Sequence, residues 1–190
     1  CYLNLPATIR QPSDWNDPAF AKLWLYNLHY FDDLNAMDSL ARRSWQLTLV
    51  KRWIAENPPV AGNGWEPYPL SLRLVNWVKW YRRVGIDDAA ILQSIASQAE
   101  ALSKQLEFHI LGNHLFANAK ALVFVGCFLQ GPVAERYLQL GLQLLAREIP
   151  EQFLPDGGHF ELSPMYHCIL LWDLLDLIQL AQITANPSLA

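Results

Sequence analysis

An all-α fold follows from three features of the sequence. Apolar residues recur at i, i+3, i+4 and i+7 along successive segments, no segment alternates with period two, and short Pro/Gly links punctuate the segments. Links of that length make neighbouring helices antiparallel.

Residues 1–17 are rich in Pro and Asp and read as an extended lead-in. A first helix is expected from Pro18 to Met37, with Phe20, Leu23, Trp24, Tyr26, Leu28, Phe31 and Leu34 at apolar positions and Pro18 in the first turn. Asp38 or Ser39 can cap a second helix reaching Glu56, which Asn57-Pro58-Pro59 ends. The stretch NPPVAGNGWEPYP, residues 57–69, reads as a loop. A third helix runs from Leu70 to Val84 and stops at Gly85. Asp87 or Asp88 caps a fourth, with Ile91, Leu92, Ile95, Ala99, Leu102 and Leu106 at helical spacing. Asn113 is the N-cap candidate for a fifth, the apolar run Leu115–Phe128, which ends at Gln130-Gly131-Pro132. A sixth spans Pro132–Gln152, LPDGG turns the chain, and a seventh opens at Ser163-Pro164 and runs through LLWDLLDLIQLAQI. No fixed-period repeat is present, so a bundle and an α/α toroid both fit the pattern.

With 190 residues, 52% hydrophobic, and eight Trp, the chain can bury one sizeable core and reads as a single helical domain over residues 1–190. Charged residues are 17% and the net charge is -4 with no basic block, which argues against a nucleic-acid partner. Cys1, Cys127 and Cys168 form no disulfide framework or metal-ligand spacing, and the latter two read as buried thiols. The five His match no zinc pattern. Asp32-Asp33 in HYFDDLNAMD lack the spacing of the magnesium-binding acidic motif of terpene cyclases, so no metal site is expected. No run approaches the ~20 apolar residues of a membrane span. The chain starts at Cys1 and stops in TANPSLA, which reads as a piece of a longer protein.

Two polar clusters stand at the starts of apolar helices: Asn113-His114, and His159, Glu161, Ser163, Tyr166 and His167. As structure, Asn113 is a cap, His114 a satisfied histidine and Tyr166 a packing residue. As chemistry, the Asn113 amide is a neutral donor, His114 carries a proton, and Tyr166 beside them is a general acid or base. Asp156 and Glu161, across a Gly-Gly turn, could form a carboxylate pair for glycoside hydrolysis. Trp65, Tyr68 and Trp77 offer flat faces to sugar rings, and Arg73 offers a fork to a carboxylate or sulfate. Trp77 is better explained as core, and Trp65, in its Gly/Pro loop, is the stronger ligand candidate.

The stretches NLHYFDDL, GNGWEPYPLSLRLVNW, HILGNHLFANAKALVFVG and LPDGGHFELSPMYH together resemble the heparinase II/III-like polysaccharide lyases, from about Tyr26 to Leu180. The resemblance implies an incomplete (α/α) toroid, with the family's C-terminal β-sandwich lying outside this chain. It assigns Asn113 to neutralising a uronate carboxylate, Tyr166 to general acid or base work, and His114 to a catalytic or supporting place. Trp65, Tyr68, Arg73, His159, Glu161 and His167 are the expected substrate contacts. The chemistry requires no metal and no cofactor. The implied partner is an acidic polysaccharide, heparan sulfate-like or alginate-like, and the implied location is periplasmic or secreted in a bacterium. The family's second catalytic His is expected beyond residue 190, so these residues alone should be folded but inactive. The open end should expose Leu170, Leu174 and Leu177. A glycoside hydrolase on a similar toroid and a non-catalytic carbohydrate-binding domain are the alternatives.

Overall fold

The computed structural model describes residues 1–110, 112–184 and 186 of the chain. It is all-α: the described residues contain no strand, only two isolated bridges, Tyr2 with Leu5 and Phe153 with His159. The helices are α1 (Lys22–Tyr30), α2 (Arg43–Glu56), α3 (Pro67–Val84), α4 (Ala89–Ser103), α5 (Gly112–Phe128), α6 (Pro132–Gln152) and α7 (Pro164–Thr184). The chain divides into two compact units, Cys1–Lys104 and Gln105–Ala190.

Unit 1 holds α1–α4. The first expected helix is shorter than its apolar pattern, because Phe31 takes a left-handed conformation (φ 63°) and a 3-10 turn over Asp32–Asn35 follows. Asp38 has φ 57° and caps nothing with its side chain; a 3-10 turn over Ser39–Arg42 leads into α2. Asp88 does cap α4, accepting from the backbone N–H of Ala90 (3.0 Å) and Ile91 (3.3 Å). Gly85 ends α3 with φ 60°, a conformation open to glycine without strain.

The core of unit 1 is aromatic, with Trp15, Trp24, Trp53, Trp77 and Trp80 fully enclosed. His29 lies among them. Its Nδ1 accepts from Trp53 Nε1 (2.9 Å), so the ring proton is on Nε2 and donates to the Trp15 carbonyl (3.0 Å). Burial, with the Arg73 guanidinium nearby, lowers the His29 pKa to about 3. The acidic pair is also engaged: Asp33 binds Arg42 (2.8 Å) and Asp32 accepts from Asn76 Nδ2 (2.9 Å).

Unit 2 is organised around α5, which is mostly apolar and is buried continuously from Leu115 to Val125, with Asn118 and Lys120 the polar residues of that run. The α6 helix buries one stripe against it: Ala134, Tyr137, Leu138, Gly141, Leu144, Leu145, Glu148 and Gln152. The two run antiparallel and unusually close. A Cβ on Gly126 would stand 2.6 Å from Leu138 N, and one on Gly141 would stand 2.7 Å from Val123 Cγ2.

One face of α7 packs inward through Leu170, Asp173, Asp176 and Leu177. Lys120 of α5 binds both carboxylates, at 2.7 Å to Asp173 and 2.7 Å to Asp176, and all three are buried. Leu170 and Leu177 therefore face inward, contrary to the expected open end, and Leu174 is half-buried; the exposed apolar residues of α7 include Leu171, Trp172, Leu175, Ile178 and Ile183 on the other face. Cys168 is exposed and Cys127 half-buried, so neither is the enclosed thiol that the apolar runs suggested. By length and composition α7 is also apolar enough to cross a membrane, which the sequence reading missed.

Candidate active site

Asn113 and His114, the polar pair of the central stretch, open α5 in unit 2. This helix begins at Gly112, so Asn113 lies in its first turn and is not the expected N-cap. Gln152, at the end of α6, donates from Nε2 to the Gly112 carbonyl (3.0 Å) and to Glu148 Oε2 (2.8 Å). That bond ties the last turn of one helix to the first of its neighbour.

The link from α6 to α7 folds back over this end. Gly157 (φ 84°) turns the chain, Leu154 N donates to the Gly158 carbonyl (2.8 Å), and Phe160 N donates to the Gln152 carbonyl (2.9 Å). The Glu161 carboxylate reaches to 3.4 Å from where a Cβ on Gly112 would lie. Three residues later α7 begins, and three residues span at most ~11 Å. The starts of α5 and α7 therefore share one end of unit 2. From there the helices run side by side in one direction, since Lys120, ~12 Å along α5, meets Asp173, ~14 Å along α7. Asn113 and His114 occupy the first turn of one helix and Tyr166, half-buried, the first turn of the other.

His114 is fixed from behind. Its Nδ1 lies 2.9 Å from Glu107 Oε1; the His114 side chain is 27% exposed and that of Glu107 only 6%. Glu107 is itself gripped by Asn118, which is fully buried. Asn118 Oδ1 accepts from Glu107 N (2.9 Å) and Asn118 Nδ2 donates to Glu107 Oε2 (3.0 Å). Sequence reasoning passed over Glu107 and Asn118, although Asn118 falls one helical turn after His114 inside an apolar run.

The expected substrate contacts divide. Glu161 is exposed and His167 half-buried at the α7 start. His159 is 2% exposed, between Phe153 and Phe160, with Nε2 3.4 Å from Gln152 Oε1. It is an interior residue of the link and presents no face to a ligand. Its pKa is lowered by burial; Glu161 opposes the shift and His167 adds to it. Asp156 accepts from Gly158 N (2.9 Å) within the turn, which gives that carboxylate a local structural partner.

In unit 1, Tyr68 is half-buried, edge-on to Tyr30 at 6.0 Å. Trp65 and Arg73 are not surface groups, contrary to the ligand-binding expectation. Gly64 packs against His29 and turns Trp65 inward, where Nε1 donates to the Asn57 carbonyl (3.3 Å) and the ring meets Trp53 at 5.9 Å. The Arg73 guanidinium lies 3.9 Å over the Trp53 ring and donates to Gln98 Oε1 (2.8 Å) and the carbonyls of His29 (3.2 Å) and Gly64 (2.6 Å). It clamps the core. Trp77, also enclosed, is core as its helical position suggested.

Among the described residues no group of three or more His, Cys, Asp or Glu could hold a metal ion. At the start of α5 there are instead a neutral amide, an imidazole backed by a carboxylate, and a phenol at the start of a parallel helix. Donors and proton carriers of that kind suit proton transfer next to a carboxylate.

Comparison with known proteins agrees on the family. The chain is 28% identical over 152 residues to a heparin-sulfate lyase of Bacteroides thetaiotaomicron, covering 74% of this chain and 21% of that protein. It is 39% identical over 57 residues to a heparin-sulfate lyase of Bacteroides stercoris (30% of this chain, 9% of that protein). A heparin-sulfate lyase of Pedobacter heparinus is 38% identical over 77 residues (40% and 11%). The chain thus spans about a fifth of the length of the first of these relatives. No solved structure matches it. Residues 32–188, most of the chain, match the heparinase II/III N-terminus, and the chain belongs to that family.

Proposed function

We propose that this chain is the helical, incomplete-toroid part of a polysaccharide lyase that cleaves a uronic-acid-containing polymer by β-elimination. The observation that carries the reading is the shared placement of Asn113, His114 and Tyr166 at the end of unit 2 where α5 and α7 both begin. The family membership supplies the reaction class.

In this reaction the C5–H bond of a uronate breaks, the C4–O4 bond breaks, and a C4=C5 double bond forms. An ionised carboxylate beside C5 opposes the build-up of a second negative charge. The Asn113 amide donates to that carboxylate and stabilises the enolate-like transition state. His114 or Tyr166 takes the C5 proton, and the Tyr166 hydroxyl delivers one to the departing O4. Glu161 and His167 stand at the same end to contact the sugar. A β-sandwich domain of the same full-length protein supplies the remaining wall of the cleft, and the protein works in the periplasm or outside the cell.

The test is ultraviolet absorbance of the products made by the full-length protein from heparan sulfate, unsulfated glycosaminoglycans and alginate. A lyase leaves a conjugated double bond on the new non-reducing end. Cleavage without that absorbance would identify a hydrolase, and binding without cleavage a non-catalytic domain.

A further inference from the structure

We propose that Glu107 is a positioning residue that fixes the tautomer and orientation of His114, and that Asn118 holds Glu107 for that purpose. The inference rests on the β-elimination reading of this site and adds a residue pair that the reading does not use.

The hydrogen bonds determine one another. The Glu107 backbone N–H can only donate, so the Asn118 atom 2.9 Å away is the amide oxygen. The Asn118 nitrogen then faces the Glu107 carboxylate, donating to Oε2 at 3.0 Å. This leaves Oε1 to accept from His114 Nδ1 at 2.9 Å. A neutral His114 ring must therefore carry its proton on Nδ1 and its lone pair on Nε2, the nitrogen on the far side of the ring from Glu107. The arrangement has the logic of a histidine held by a carboxylate so that one ring nitrogen is always the base. Simple packing would not require it: an enclosed carboxylate is costly to desolvate, and this one is surrounded by donors that suit its charge.

Glutamine cannot replace Glu107. Both of its side-chain partners are donors, and an amide offers one acceptor and one donor. Glu107→Gln must lose either the Asn118 contact or the His114 Nδ1–H contact. Adding Asn118→Asp repairs the pattern: one aspartate oxygen accepts from the backbone N–H of residue 107, the other from the glutamine amide, and the glutamine oxygen again faces His114. The net charge of the pair is unchanged.

The experiment uses the full-length protein labelled with 15N-histidine, and reads kcat, KM, thermal melting and the His114 ring nitrogens in wild type, E107Q, E107Q/N118D and N118D. Wild type should show a protonated Nδ1 in the neutral ring. E107Q should lose about 10–100-fold in kcat, the range for removing a residue that orients a functional histidine, with KM changed less than about threefold and a mixed or Nε2-protonated ring. E107Q/N118D should regain the Nδ1-protonated ring and most of the lost kcat, while N118D alone, with two facing carboxylates, should not match wild type. Unchanged kcat and ring signals in E107Q overturn the proposal. So does a double variant that restores the ring signal but not turnover. If E107Q melts below the assay temperature, the double variant decides: a native melt with the wild-type ring signal and turnover supports the proposal, and a native melt with an Nε2-protonated ring or lost turnover overturns it. If the ring signals behave as expected but wild type makes no unsaturated product from any uronate polymer, the reaction assignment fails and the positioning of His114 stands.

Discussion

Tyr166 and Asn113 are assigned different tasks, so their substitutions should separate in kinetics. Tyr166→Phe removes only the proton-carrying oxygen and should lower kcat by about 10²-fold or more with little change in KM, measured on the full-length protein. Near-normal turnover would remove Tyr166 from the chemistry. A second residue-level expectation concerns His29. Its folded pKa of about 3 lies below the ~6.5 of an unfolded histidine, so the folded state resists protonation. The stabilisation is complete above pH ~6.5 and is lost as the pH falls toward 3, at up to ~1.4 kcal/mol per pH unit. His159 adds in the same direction, whereas carboxylates with lowered pKa, such as Asp14 and Asp88, act at lower pH. Between pH 6.5 and 5 the melting temperature of wild type should therefore fall more than that of His29→Gln, whose neutral amide can still accept from Trp53 and donate to Trp15. Parallel curves would contradict the buried neutral imidazole. Polar groups at helix starts were legible in the sequence because Asn, His and Tyr stand out against Leu and Phe. Glu107 was not, because its direct contact with His114 and its hold by Asn118 depend on side-chain geometry that no spacing rule encodes. The same limit applies to Trp65 and Arg73: a Gly/Pro loop suggests exposure, but the turn at Gly64 folds Trp65 against Trp53.

At the scale of elements, the contact between α5 and α6 depends on two absent side chains. Gly141→Ala would place a methyl 2.7 Å from Val123 Cγ2 and 2.8 Å from the Ala119 carbonyl, within a helix pair that is already packed. It should destabilise by about 1–3 kcal/mol despite alanine's better helix propensity, seen as a lower melting temperature. Gly157→Ala, in an exposed turn with open space around it, tests a different cost, that of its φ of 84° alone. The contact between α5 and α7 depends on charge. Lys120→Met leaves Asp173 and Asp176 buried together without their cation and should lower stability by about 3–5 kcal/mol in chemical denaturation at neutral pH. Replacing all three by apolar residues should recover much of that loss, and failure to do so would mean the triad does more than join two helices. Helix existence was readable from period and punctuation alone, including the Asp88 cap and the Pro132–Gln152 span. The boundaries that differed, at Phe31, Asp38 and Gly112, are set by backbone conformations that apolar periodicity does not report. Which face of α7 is buried was also hidden, since both faces are apolar and the deciding residues are its two Asp.

At the scale of the molecule, the chain supplies two compact helical units, and the reaction assigned to it draws on family membership as well as on local geometry. Residues 1–190 expressed alone should show helical circular dichroism and a cooperative melt but no lyase activity, because groups that act as a unit in proton transfer lose most of the rate when one is missing. Full activity from these residues would show that they contain everything the reaction needs. The most direct measurement is a crystal structure of the full-length Tyr166→Phe protein with an uncut uronate oligosaccharide. The expected result is a single uronate at the start of α5 and α7, its carboxylate on the Asn113 amide, His114 Nε2 facing C5, and the residue 166 ring beside O4. An oligosaccharide bound elsewhere, or one whose carboxylate points away from Asn113 while O4 lies out of reach of residue 166, would contradict the assignment.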